Sequence, residues 1–136
     1  MSLVLKHLNL DSRGLTEIPH NVKTHAELEI LSAYNNQLHA LPEWLFSLKN
    51  LKFLNLGHNK FTTVSPDLAK LASLETLDLG HNQIRVLPDE LGELKNLSGF
   101  LYLNNNQLES IPTSICNLKK LKYEKIKKFN FTIFDF

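Results

Sequence analysis

The stretch 74–88 constrains this chain more than any other. It reads Leu74-x-x-Leu77-x-Leu79-x-x-Asn82-x-Ile84-x-x-Leu87-Pro88. Related copies start at Leu5, Leu28, Leu51 and Leu97, so first positions recur every 23 residues. A fixed period of this length marks a stacked repeat. No single copy can bury its own leucines. Stacking neighbours creates one continuous core, with stability a sum of unit and interface terms.

The first copy runs Leu5, Leu8, Leu10, Arg13, Leu15, Ile18, Pro19, and the second Leu28, Leu31, Ala33, Asn36, Leu38, Leu41, Pro42. The third runs Leu51, Leu54, Leu56, Asn59, Phe61, Val64, with Ser65-Pro66 in place of the usual proline. Around Leu77 and Leu79 the in-out alternation predicts a short strand. Leu77 and Leu79 point inward, and Thr76, Asp78 and Gly80 outward. Asn82 leaves the strand, where its amide can bond backbone groups of adjacent turns. Stacking predicts an asparagine ladder of Asn36, Asn59, Asn82 and Asn106, broken by Arg13 at the first unit.

The chain returns through Leu91, Leu94 and Leu97, a three-residue spacing that suits a short helix or 3₁₀ turn with one apolar face. Pro42 and Pro88 sit where these turns begin. Equivalent runs cover 44–51, 67–74 and 113–121. One such run holds Cys116, which is expected to be buried.

The fifth unit is irregular. Asn82 and Asn106 are 24 apart, so one residue is inserted before the strand, and Gly99 is the natural place to absorb it as a bulge or looser turn. A sixth unit begins at Ile115, Leu118 and Leu121, then has Glu124 where a core leucine belongs and Phe129 in place of the asparagine. Alternation at Phe129, Phe131 and Ile133 predicts a last strand. The expected organisation is a domain of five repeats over 1–121, followed by 122–136 as a degenerate cap or truncated repeat.

Over about residues 3–121 these motifs resemble the leucine-rich-repeat family. The 23-residue unit with Leu-Pro after the ladder is similar to the intracellular class of Ras-suppressor and Shoc2-like scaffold proteins. Similar arrays occur in bacterial proteins, including effectors delivered into host cells. The resemblance implies an α/β solenoid, a right-handed curved stack. A parallel β-sheet lines its concave face and short helices or 3₁₀ turns its convex face. It also implies non-catalytic protein binding through the sheet.

The register places the outward positions in columns. The first holds His7, Ile30, Phe53, Thr76 and Phe100, and the second Asn9, Ser32, Asn55, Asp78 and Tyr102. The third holds Asp11, Tyr34, Gly57, Gly80 and Asn104, and the fourth Ser12, Asn35, His58, His81 and Asn105. Large apolar and aromatic groups on a concave face are the usual anchors of an interface. The expected partner-binding residues are Ile30, Tyr34, Phe53, Asn55, Asp78, Phe100 and Tyr102. Gly57 and Gly80 are expected to leave a shallow floor for a partner side chain. Trp44, on the returning side, is expected to cover a neighbouring turn.

Other chemistries find little support. His58 and His81 are one repeat apart, but their neighbours Asn35 and Asn105 are poor metal ligands, so no metal is expected. No nucleophile elbow, phosphate loop or paired carboxylates appear, so the expectation is no enzyme, cofactor or small-molecule substrate. Net charge is +1, but residues 119–136 hold six Lys against Glu124 and Asp135, leaving −3 on the residues before them. The basic run reads as a solvated end rather than a nucleic-acid or membrane contact. One cysteine and no signal-peptide pattern point to a cytoplasmic monomer, or to a bacterial effector acting inside a host cell. A fragment of a larger scaffold array is the remaining alternative.

Overall fold

The structure, a computed structural model, describes residues 4–122 and 125–127. Six short strands form one parallel sheet in chain order: β1 His7–Asn9, β2 Ile30–Ser32, β3 Phe53–Asn55, β4 Thr76–Asp78, β5 Leu101–Tyr102 and β6 Ile126–Lys127. The register follows the repeat, with Leu8, Leu31, Leu54 and Leu77 opposite one another. A 23-residue period makes sequence equivalence and spatial adjacency the same thing, and this gives the fold its solenoid form.

The returning segments are all 3₁₀ helices: His20–Thr24, Glu43–Ser47, Pro66–Lys70, Asp89–Glu93 and Thr113–Asn117. Three residues per turn bring Leu45, Leu48 and Leu51 onto one buried face, and likewise Leu68, Leu71 and Leu74, and Leu91, Leu94 and Leu97. Pro19, Pro42, Pro88 and Pro112 precede the turns as extended residues. The third repeat differs. Ser65 takes that place, and its Oγ accepts the Asp67 N–H at 3.2 Å, with Pro66 opening the turn. Val64 also stands there in place of Leu41 and Leu87, one methylene short. A cavity of about 150 Å³ lined by Leu41, Phe46, Phe61 and Val64 lies beside it.

The asparagines tie the units together. Asn59 Oδ1 accepts the Leu38 N–H, and its Nδ2 donates to Ala33, Leu56 and Gly57 carbonyls. Asn36, Asn82 and Asn106 repeat the pattern, Asn36 Oδ1 accepting from both Arg13 and Leu15. Asn36, Asn59 and Asn82 are buried, so each satisfies backbone groups that water does not reach. Arg13 does not join the ladder; its guanidinium donates to Asn9 O.

The insertion resolves into a bulge. Ser98 and Gly99 both donate to Glu75 O, as Glu75 and Thr76 do to Lys52 O, so the register is undisturbed through Gly99. Leu77 N–H then donates to Phe100 O while Leu101 pairs with Leu77, which makes Phe100 the extra residue. Gly99 and Phe100 together face Thr76. A Cβ on Gly99 would collide with Thr76 Oγ1, so the residue there must be small.

One expectation meets a different outcome. Cys116 is exposed rather than buried, because the three-residue spacing gives the inner face to Ile115, Leu118 and Leu121 and leaves Cys116 one step off it. The sheet also continues past residue 121: Ile126 pairs with Leu101 and is buried. The strand expected at Phe129, Phe131 and Ile133 lies outside the described residues, as does most of the expected cap 122–136.

Candidate protein-binding face

The strand ladder settles which side chains share the outward face. His7, Ile30, Phe53 and Thr76 stand in register at its leading side, followed by Asn9, Ser32, Asn55, Asp78 and Tyr102. Ile30, Phe53, Phe100 and Tyr102 are all partly exposed, and Tyr34 is exposed. A chain of charges runs along the leading edge: Glu29 lies 3.8 Å from Lys6 and 3.1 Å from Lys52. The hydrogen bond from Lys52 holds the Glu29 carboxyl below its ordinary range. Being exposed, these pairs contribute little to stability.

The aromatic groups gather in two places. Phe100 and Tyr102 stack at 5.4 Å, with Lys125 Nζ 5.8 Å from the Phe100 ring centre. Phe100 and Tyr102 are alternate residues on the outer face, as Phe53 and Asn55 are in β3. At the trailing edge Tyr34 meets His58 edge-on at 4.9 Å, and His58 stacks on His81 at 4.0 Å and 15°. Tyr34 is thus an element of an imidazole row rather than an extension of the Ile30–Phe53 patch.

That row follows from backbone geometry. Ser12, Asn35, His58, His81 and Asn105 all have φ between 53° and 57°. The left-handed region is costly for most side chains but tolerated by Asn and His. The sharp exit from each strand therefore selects these residue types, and stacking aligns them. Asn105 Nδ2 lies 3.0 Å from His81 Nε2. Lost hydration, then the nearby His58, lowers the His81 pKa, against the pull of Asp78. Among the described residues no group of three or more His, Cys, Asp or Glu converges as a metal site.

The polar positions are already engaged. Asn55 Oδ1 accepts the Gly57 N–H at 2.9 Å, and Asp78 Oδ1 the Gly80 N–H at 2.8 Å. Asn9 Oδ1 likewise accepts from Asp11 at 2.7 Å. Burial raises the Asp78 pKa, partly offset by the Gly80 N–H. The floor expected above Gly57 and Gly80 is lined by side-chain oxygens. A Cβ on Gly57 would sit 3.2 Å from both Asn55 Oδ1 and Asp78 Oδ1, and one on Gly80 2.9 Å from Asn104 Oδ1. The glycines make room for these oxygens. His58, His81 and Asn104 are the neighbours that sequence reasoning left out of the candidate face. The repeated Gly-His-Asn at 57–59 and 80–82 was the signal for the two histidines. On the opposite face Trp44 is partly buried and packs edge-on against His20 at 6.1 Å.

Comparison with known proteins agrees with this architecture. The family pattern described as leucine rich repeat matches residues 26–84 and 56–108, and a second pattern of the same description matches 100–118. The chain belongs to the leucine-rich-repeat family. It is similar to a leucine-rich-repeat protein of Leptospira interrogans: identity is 43%, the TM-score is 0.83, and the match covers 87% of this chain and 30% of that one. Internalin C2 of Listeria monocytogenes is 27% identical with a TM-score of 0.79, over 91% of this chain and 51% of that one. The ectodomain of the receptor kinase SOBIR1 of Arabidopsis thaliana is 30% identical with a TM-score of 0.70, over 89% and 71%. This chain thus spans about a third of the Leptospira protein and half of the internalin. Curated proteins give no match. Members of the family generally serve as protein-interaction modules.

Proposed function

We propose that this chain is a non-catalytic module that binds a partner protein on its concave sheet. The observation that carries the reading is the placement of Ile30, Phe53, Phe100, Tyr102 and Tyr34, all at least partly exposed, on one preformed face. The asparagine ladder satisfies the backbone behind that face, so its outward side chains are presented on a rigid support. A partner that buries rigid aromatics loses little conformational entropy on docking. Binding is an equilibrium between preformed surfaces, and no bond is made or broken.

The test is retention of a partner by the intact chain and by a Tyr34→Ala, Phe53→Ala, Tyr102→Ala variant, with circular dichroism confirming that both are folded. The partner is expected to remain with the intact chain and to leave the variant. Equal retention by both would remove the concave face from consideration.

A further inference from the structure

Gly57 and Gly80 occupy equivalent positions just after β3 and β4, at the middle of the sheet. Three side-chain oxygens converge over them. Asn55 Oδ1 and Asp78 Oδ1 lie 3.2 Å from a Cβ built on Gly57, and Asn104 Oδ1 and Asp78 Oδ1 lie 2.9 Å and 3.2 Å from one built on Gly80. The Gly57 and Gly80 N–H groups anchor two of these oxygens, so they are held in place. Tyr34 stands at one end of the glycine column and Asn104 at the other. The stacked His58 and His81 bound its trailing side.

The charge of Asp78 is favoured by the Gly80 N–H and by the neighbouring His81 and His58 imidazoles, and among the described residues no lysine or arginine joins them. Among the described residues the ion pairs join Lys6 and Lys52 to Glu29, and Lys70 to Asp67, and none reaches Asp78. Asp78 is half-buried, so its carboxylate has lost part of its water and gains no lysine or arginine partner in return among the described residues.

We infer that this floor receives one basic side chain of the partner protein, an arginine guanidinium donating to Asp78 and to the amide oxygen of one neighbouring unit, Asn55 or Asn104. The acceptors are spread over neighbouring units, which lie about 4.8 Å apart in a sheet. A planar fork with five donors spans such a set, whereas an ammonium is a compact point charge. Guanidinium is also weakly hydrated, and it packs well against rings such as Tyr34 and His58. The inference rests on the concave-face reading and adds the chemistry of the partner.

The probe is N-acetyl-arginine amide, titrated into the full chain while the backbone amide resonances of Gly57 and Gly80 are followed. Saturable shifts are expected, absent with the uncharged citrulline counterpart. They should need at least about tenfold more ligand in Asp78→Asn, which keeps the size and the acceptor for Gly80. Equal shifts with citrulline, or an unchanged midpoint in Asp78→Asn, would overturn the inference. So would a lysine counterpart binding as tightly, or calcium chloride giving the same shifts at lower concentration, which would make the floor a metal site. A partner kept by Asp78→Asn but lost by the Tyr34, Phe53, Tyr102 variant would leave the concave face standing and remove the arginine receptor. Loss in neither would remove both.

Discussion

Replacing Asn82 by Ala tests the ladder at a buried point. Asn82 is 7% exposed, its Oδ1 accepts the Phe61 N–H, and its Nδ2 donates to the Leu56, Leu79 and Gly80 carbonyls. The alanine leaves the Phe61 N–H without its acceptor in a place water does not enter, which costs about 1–3 kcal/mol. The three carbonyls are less affected, because each keeps another donor. Leu56 O keeps Asn59 Nδ2, Leu79 O keeps Asn106 Nδ2, and Gly80 O keeps the His58 N–H. Their lost bonds add about 1 kcal/mol together, for a total of roughly 2–4 kcal/mol. Asn82→Asp should be worse, since it turns an oxygen toward three carbonyl oxygens. Equilibrium urea unfolding measures both, with exposed Gln83→Ala as a control expected within about 0.5 kcal/mol of the parent. If Asn82→Ala matches that control, or Asn82→Asp is the milder change, the ladder does not work as described.

Two further outcomes are specific. Gly92→Ala and Gly99→Ala both introduce a colliding Cβ, but at Gly92 the obstacle is the Ser114 backbone carbonyl and at Gly99 chiefly the Thr76 hydroxyl. Gly92→Ala should therefore cost about 2 kcal/mol or more, and Gly99→Ala less. Adding Thr76→Ala should recover stability only in the second, which a double-mutant cycle by thermal melting reads directly. The His81 pKa is lowered in the folded chain, so the unfolded chain takes up that proton first as pH falls. The wild type should lose stability relative to His81→Asn as pH drops from about 7.5 to 5. Asn suits the same left-handed backbone, and parallel stability curves for the two proteins would contradict the desolvated imidazole.

Much of the fold could be read directly from spacing. Leu77, Leu79 and Asn82 and their equivalents each report one repeat, and the repeat reports the neighbour, so strand, register and ladder all follow from a period of 23. The candidate columns followed for the same reason. Less legible were places where a side chain's direction depends on a hydrogen bond to another unit. Asn55, Asp78 and Asn104 read as independent polar positions, and only their turns toward the Gly57 and Gly80 backbone bring their oxygens together.

The period determined the stack, because identical units placed side by side leave one way to bury their leucines. It also determined which residue types line the outer face. Tertiary structure decided what those residues do to one another. It turned a one-residue excess at Gly99 and Phe100 into a bulge, and it stacked Phe100 on Tyr102. It exposed Cys116 and carried the sheet on to Ile126. It also lined the glycine floor with oxygens. Hydrophobic periodicity is written along the chain and survives inspection one residue at a time. Polar contacts between units are short and directional, and they exist only once neighbouring repeats are packed at their final distance.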